Sequence, residues 1–111
     1  MLPSSHRLRT STEFTSVVRT GRRAGRPLLA VHALPGEGDA ARAGLVVSKA
    51  VGNSVVRHRV ARRLRHLLAV RLPALPAGTQ VVVRANAPAG NATSAALGAD
   101  LDAALSRLGL A

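Results

Sequence analysis

A chain of 111 residues is long enough for one domain with a modest core and too short for a second independent unit, so a single domain over 1–111 is expected. Its 16 Lys and Arg stand against 5 Asp and Glu, a formal net charge of +11, which points to a polyanionic partner: nucleic acid first, an anionic membrane surface second. The lack of cysteine excludes a disulfide framework and a thiolate metal site, and no run of about eighteen apolar residues is available to cross a bilayer.

The opening MLPSSHRLR has no apolar stretch of the kind a secretory leader needs, so a cytoplasmic location is expected. Thr10-Ser11-Thr12-Glu13 forms a capping box, in which the Thr10 hydroxyl and the Glu13 carboxylate satisfy orphan amides reciprocally. A short helix is predicted to follow, with Phe14, Val17 and Val18 at helical spacing and Gly21 as its stop. Phe14 is the only aromatic residue, and periodicity alone places it in the core in preference to a base-stacking role. Arg19, Arg22, Arg23 and Arg26 then read as a flexible basic loop that either touches RNA nonspecifically or serves solubility.

Residues 28–34 (LLAVHAL) are a predicted strand containing His32, a packed or half-exposed histidine with no Cys, Asp or second His at metal-binding spacing. Pro35-Gly36-Glu37-Gly38-Asp39 is turn chemistry, and a second strand is expected over 43–47 (AGLVV), adjacent and antiparallel to the first.

The pattern then changes to a basic helix. Gly52 allows a backbone conformation closed to other residues, and Asn53 or Ser54 can cap the helix N-terminus. Free amides there, with Lys49 and the macrodipole, suit a phosphate, although capping alone accounts for the same residues. From Val56 onward, Val56, Val60, Leu64, Leu67 and Leu68 share one face. His58, Arg59, Arg62, Arg63, Arg65 and His66 fill the remaining arc, while Arg57 falls nearer the apolar side and is expected to project past the edge of the core in the first turn. No acid lies between Asp39 and Asp100, so this face has no local neutralising partner. A planar, permanently charged guanidinium suits phosphate oxygens better than the ammonium of Lys49, the one lysine.

Pro73 restricts Leu72 and ends the helix near Arg71. Residues 73–78 are a loop, 79–84 (TQVVVR) a strand whose valines suggest burial on both faces, and 86–91 a Pro/Gly loop. A final helix carries Leu97, Leu101, Leu105 and Leu108 on one face after a Thr93 or Ser94 cap, with Gly109 as its stop. The predicted order is α-β-β-α-β-α, an α+β sandwich of helices on a small mixed sheet. The acids are a cap (Glu13), a loop pair (Glu37, Asp39) and two helix residues (Asp100, Asp102), which make no catalytic constellation and no metal site. These residues describe a binding protein.

The run SKAVGNSVVRHRVARRLR over 48–65 resembles, without a gap, the signature of the bacterial ribonuclease P protein family, S-K-K-x-G-N-A-V-x-R-N-R-x-K-R-x-x-R. It departs at Ala50 and Ala61, where the family usually has Lys, at Ser54 for Ala, and at His58 for the Asn of the Arg-Asn-Arg motif. Arg7-Leu8-Arg9 through Glu13-Phe14, Val17, Val18 and Gly21 is similar to the family's N-terminal R-L-x-x-x-x-D-F-x-x-V-F-x-x-G, with Val18 in place of a second aromatic. The resemblance covers about residues 7–108.

It implies a protein subunit of an endoribonuclease that removes the 5′ leader of precursor tRNA, with the chemistry carried by a catalytic RNA and magnesium ions held mainly by RNA and substrate. Lys49, Asn53, Arg57, His58, Arg59, Arg62, Arg63 and Arg65 would bind the catalytic RNA. Phe14, Val18, His32 and Ser48 would line the cleft for the leader, which is apolar but poorer in stacking than usual. It also implies a left-handed β-α-β crossover, which general rules would not predict. The partners expected are the catalytic RNA and the precursor tRNA leader, with no membrane and no protein partner. The competing reading is a general basic RNA- or DNA-binding protein, ribosome- or nucleoid-associated, which needs the charge but not the cleft. A membrane-surface helix suffers from the lack of Trp and from the strands around it.

Overall fold

The computed structural model describes Arg7, Leu8 and residues 10–110. Most of the opening segment, residues 1–6, and Arg9 of the N-terminal motif lie outside the described residues. Helix α1 (Ser11–Thr20) starts with the predicted capping box: Thr10 Oγ1 accepts from the Glu13 amide at 3.1 Å, and Glu13 Oε1 accepts from the Thr10 amide at 3.1 Å. Gly21 ends it with an extended backbone (φ −78°), not a left-handed one. Its requirement for glycine is close approach, since a Cβ there would collide with the carbonyl oxygens of Val17 and Ala33.

Strands β1 (Arg22–Gly25), β2 (Leu29–Leu34), β3 (Arg42–Val46) and β4 (Gln80–Ala85) form one mixed sheet in the order β1-β2-β4-β3. Two expectations are corrected here. The basic segment after α1 is not a loop: Arg22–Gly25 pairs antiparallel with β2, Arg23 opposite His32 and Ala24 opposite Val31. An edge strand needs only one inward side chain, here Ala24, and arginines along such an edge oppose pairing with other chains. Strands β2 and β3 are not neighbours, because β4 lies between them, antiparallel to β2 and parallel to β3. A strand buried on both faces needs a neighbour on each side, and β4 takes such an interior position. Val81, Val82 and Val83 are fully buried, as their sequence predicts.

Helix α2 (Ser54–Arg71) crosses from β3 to its parallel neighbour β4. Val60, Leu64 and Leu68 are buried, with Val56 and Leu67 packed at the margin. Helix α3 (Ser94–Arg107), capped by Thr93, adds Leu97, Leu101 and Leu105 to the same core. It ends at Gly109, whose φ of +76° lets the Leu110 amide turn back to the Leu105 carbonyl at 2.9 Å. These two helices cover the sheet face bearing Val31, Val81 and Val83. The opposite face carries a smaller cluster of Leu8, Val17 and Val82 with Phe14, Val18, Leu34 and Val46, so α1 packs there alone. The chain thereby leaves one sheet face only partly covered.

Candidate nucleic-acid interface

Two surfaces flank the end of β3. The first is the exposed arc of α2. The backbone turns into that helix through a 3₁₀ turn (Lys49–Val51) anchored by buried Val51, then through Gly52 at φ +152°. Asn53 is the cap, its Oδ1 accepting from the Val56 amide at 3.0 Å, which leaves its amide nitrogen available. Ser48, Lys49 and Asn53 are all exposed beside this helix N-terminus.

An open groove of about 710 Å³ follows the arc, lined by Ser54, Val55, His58, Arg59, Arg62, Arg65 and His66. A second of about 290 Å³ runs between α2 and the end of β3, lined by Leu45, Val47, Ser54, Arg57, His58, Ala61 and Arg65. Arg57 is half-buried at that junction and its Nε has no hydrogen-bond partner.

The arginines of this arc are not equivalent. Arg59 Nη2 donates to the Gly90 carbonyl at 2.9 Å, and Arg63 Nη1 to the Ala92 carbonyl at 2.7 Å. Both therefore help fix the 3₁₀ segment Ala87–Asn91 against α2 while keeping their charge. Arg62 and Arg65 are exposed and, among the described residues, make no hydrogen bond or ion pair. Acids are engaged elsewhere: Asp102 takes Arg71 in a bidentate pair at 2.6 and 3.0 Å, and Asp100 accepts from the Leu28 amide at 2.9 Å and lies 3.4 Å from Arg26. Glu13, besides its capping role, pairs with Arg42 at 2.7 Å.

The second surface is the cleft beside α1. The Phe14 ring lies over Gly44 of β3, where any Cβ would fall into the ring. Phe14 is thus half-buried, in contact with the small cluster yet open along one side, and Val18 is its half-buried neighbour one turn on. His32 comes from β2 onto this same face, only 6 % exposed, its Nδ1 without a partner. Burial, then the Arg23 and Arg84 guanidiniums, hold its imidazole below the usual histidine value. In the sequence Arg23 is named only as part of a basic loop, and Arg84 only as the end of a strand. For Arg84 a signal existed, since strand alternation puts it on the face of Val82. For Arg23 the basic cluster gave a nonspecific signal, and the strand that fixes its face was missed.

A family model described as Ribonuclease P matches residues 2–109, almost the whole chain. The chain belongs to the ribonuclease P protein family. It is 56 % identical to the ribonuclease P protein component of Streptomyces bikiniensis, over 97 % of this chain and 95 % of the relative. It is 51 % identical to that of Nocardioides, over 98 % and 96 %. The solved ribonuclease P protein of Staphylococcus aureus superposes with a TM-score of 0.85 at 24 % identity, covering 95 % of this chain and 96 % of that one. That of Thermotoga maritima, solved with 1-(4-fluorophenyl)-2-thiourea, gives 0.82 at 21 %, covering 91 % and 98 %. The ribonuclease P fold is thus shared, and the chain is the protein subunit of a ribonuclease P, an endoribonuclease whose protein partners an RNA component. The reading as a general ribosome- or nucleoid-associated binder is set aside. Among the described residues no helix is long and apolar enough to cross a membrane.

Proposed function

We propose that this ribonuclease P subunit grips the catalytic RNA through the α2 arc and holds the 5′ leader of precursor tRNA in the cleft beside α1. The observation that carries the reading is the pair of exposed, unpaired guanidiniums of Arg62 and Arg65, set beside a half-open aromatic cleft. Lys49, Asn53, Arg57, His58, Arg59 and Arg63 extend the cationic surface, and each phosphate they neutralise releases counterions that otherwise oppose RNA association. Phe14, with Val18, the buried His32 and the exposed Ser48 after β3, would give an unstacked leader nucleotide an apolar surface without reading its sequence.

Three of the five carboxylates already hold cations or amides: Glu13 holds Arg42, Asp100 holds Arg26 and the Leu28 amide, and Asp102 holds Arg71. The magnesium of the reaction is then carried by the RNA and substrate phosphates, and the protein's role is to lower the concentration required. The holoenzyme would work in the cytoplasm, where precursor tRNA is made.

The test is cleavage of a precursor tRNA by the cognate catalytic RNA at low millimolar magnesium, with and without the protein. Release of the leader should depend on the protein and should not occur with protein alone. Absence of stimulation with folded RNA and protein overturns the reading.

A further inference from the structure

Two arginines lie on the α1 side of the sheet, where the acid of α1, Glu13, is paired with Arg42. Arg23 lies opposite His32 in the β1–β2 register, His32 opposite Val82 and Ala30 opposite Arg84 in the β2–β4 register. The side chains of Arg23, His32 and Arg84 therefore leave the same face. The Arg23 guanidinium folds along its own strand over Gly25, where an added Cβ would stand 3.0 Å from Nη1 and 3.4 Å from Cζ. Gly25 opposes Ala30, and Ala30 opposes Arg84. One row across three strands thus carries a guanidinium at each end and only a hydrogen and a methyl between.

Two strand spacings put the ends of that row about 10 Å apart. At that separation two long guanidinium side chains can reach oxygens of one phosphate group between them. Among the described residues, neither arginine makes an ion pair or side-chain hydrogen bond. Asp100 and Asp102 belong to α3, which packs against the other face of the sheet. His32, the neighbour of both arginines, is buried with an unpartnered Nδ1, so it supplies no counter-charge. Like charges gathered over a floor of small residues are a disfavoured arrangement until an anion enters.

We propose that Arg23 and Arg84 clamp one phosphodiester of the single-stranded leader above the Gly25–Ala30 floor. The proposal rests on the leader-binding reading above and extends it. Phe14, over Gly44 two strands from Ala30, lies about 12 Å away across the sheet. A strand that leaves the aromatic cleft can therefore cross the clamp, and a backbone contact there adds affinity without sequence preference.

The experiment measures holoenzyme affinity for precursor tRNAs with a long leader and with a leader of a single nucleotide, using Arg23→Gln, Arg84→Gln and Phe14→Ala variants. Each arginine variant should weaken long-leader binding about five- to tenfold. Binding of the short-leader precursor and of the catalytic RNA should stay unchanged, and Arg84→Lys should restore part of the loss. With wild-type protein, a neutral methylphosphonate at one leader linkage should give the same loss, and combining it with Arg84→Gln should add nothing. This arm does not depend on how a variant folds.

Unchanged long-leader affinity, no sensitive linkage, or a loss equal for both leader lengths overturns the clamp. So does weakened binding of the catalytic RNA, which would give the arginines to that RNA. If only Phe14→Ala responds to leader length, the clamp fails and the leader cleft stands. If no variant responds, the leader reading fails with it.

Discussion

The Phe14 ring rests on the backbone of Gly44, and the absence of a side chain there is what lets α1 approach β3 with its aromatic edge still open. Gly44→Ala would place a methyl inside the ring and force Phe14 to a new rotamer. Overpacking of this kind destabilises by about 1–3 kcal/mol. The variant should melt several degrees lower and lose affinity for long-leader precursor, while its affinity for the catalytic RNA stays unchanged. A Gly44→Ala protein with wild-type melting and leader affinity would mean that the ring is not held as described.

The α2 arginines should separate into two classes. Arg62→Ala with Arg65→Ala removes two exposed, unpaired cations, so the salt slope of catalytic-RNA binding should shrink by about 1.5–2, with stability within about 0.5 kcal/mol of wild type. Arg59→Ala and Arg63→Ala also break the bonds to the Gly90 and Ala92 carbonyls and should each lower stability by about 1 kcal/mol. Salt-dependent binding paired with chemical denaturation distinguishes the classes. Identical behaviour of all four would contradict the tethering geometry.

His32 links stability to pH. Its folded value is depressed by burial and by Arg23 and Arg84, so the unfolded chain takes up a proton first as the pH drops. The stabilisation from neutral His32 is fully present above the unfolded value of about 6.5 and is lost as the pH falls toward the folded value. Denaturation midpoints taken at about pH 7.5 and about pH 5.5 should differ more for wild type than for His32→Leu. Equal differences would show that other groups set the slope.

Arg71 ties the end of α2 to α3 through Asp102 and also donates to the Leu67 carbonyl at 2.9 Å. The Arg71 hydrogen bond holds the Asp102 carboxyl below the usual carboxylate range. Its stabilisation is present above the unfolded value of about 3.9 and disappears as the pH falls through the folded one. Because the Asp102 side chain is 58 % exposed, Asp102→Ala should lower stability by only about 0.5–1 kcal/mol near neutral pH. The same variant should show a shallower loss of stability in acid, and a melting series from neutral to acid pH reads both effects.

Local chemistry determined the elements that depend on near neighbours in the chain. The capping box at Thr10 and Glu13, the Asn53 cap, the apolar stripe of α2 and the valine run of β4 all follow from spacings of a few residues, and all stand where periodicity put them. The signature over 48–65 likewise carried the family, because it lies on one continuous turn and helix.

Partners distant in sequence were decided by the tertiary structure. An arginine-rich segment became strand β1 because the exposed edge of β2 offered backbone hydrogen bonds and one inward slot, which Ala24 fills. Strand β4 entered between β2 and β3 because burying three consecutive valines on both faces requires the middle of the sheet. The same insertion set Arg84 two residues beyond Val82 on the cleft face, the β1–β2 pairing put Arg23 across from His32, and together they gathered cations that lie some sixty residues apart in the chain. Periodicity carries no information about which strands pair. That choice depends on burial summed over the whole sheet, and here it placed two arginines beside the aromatic cleft.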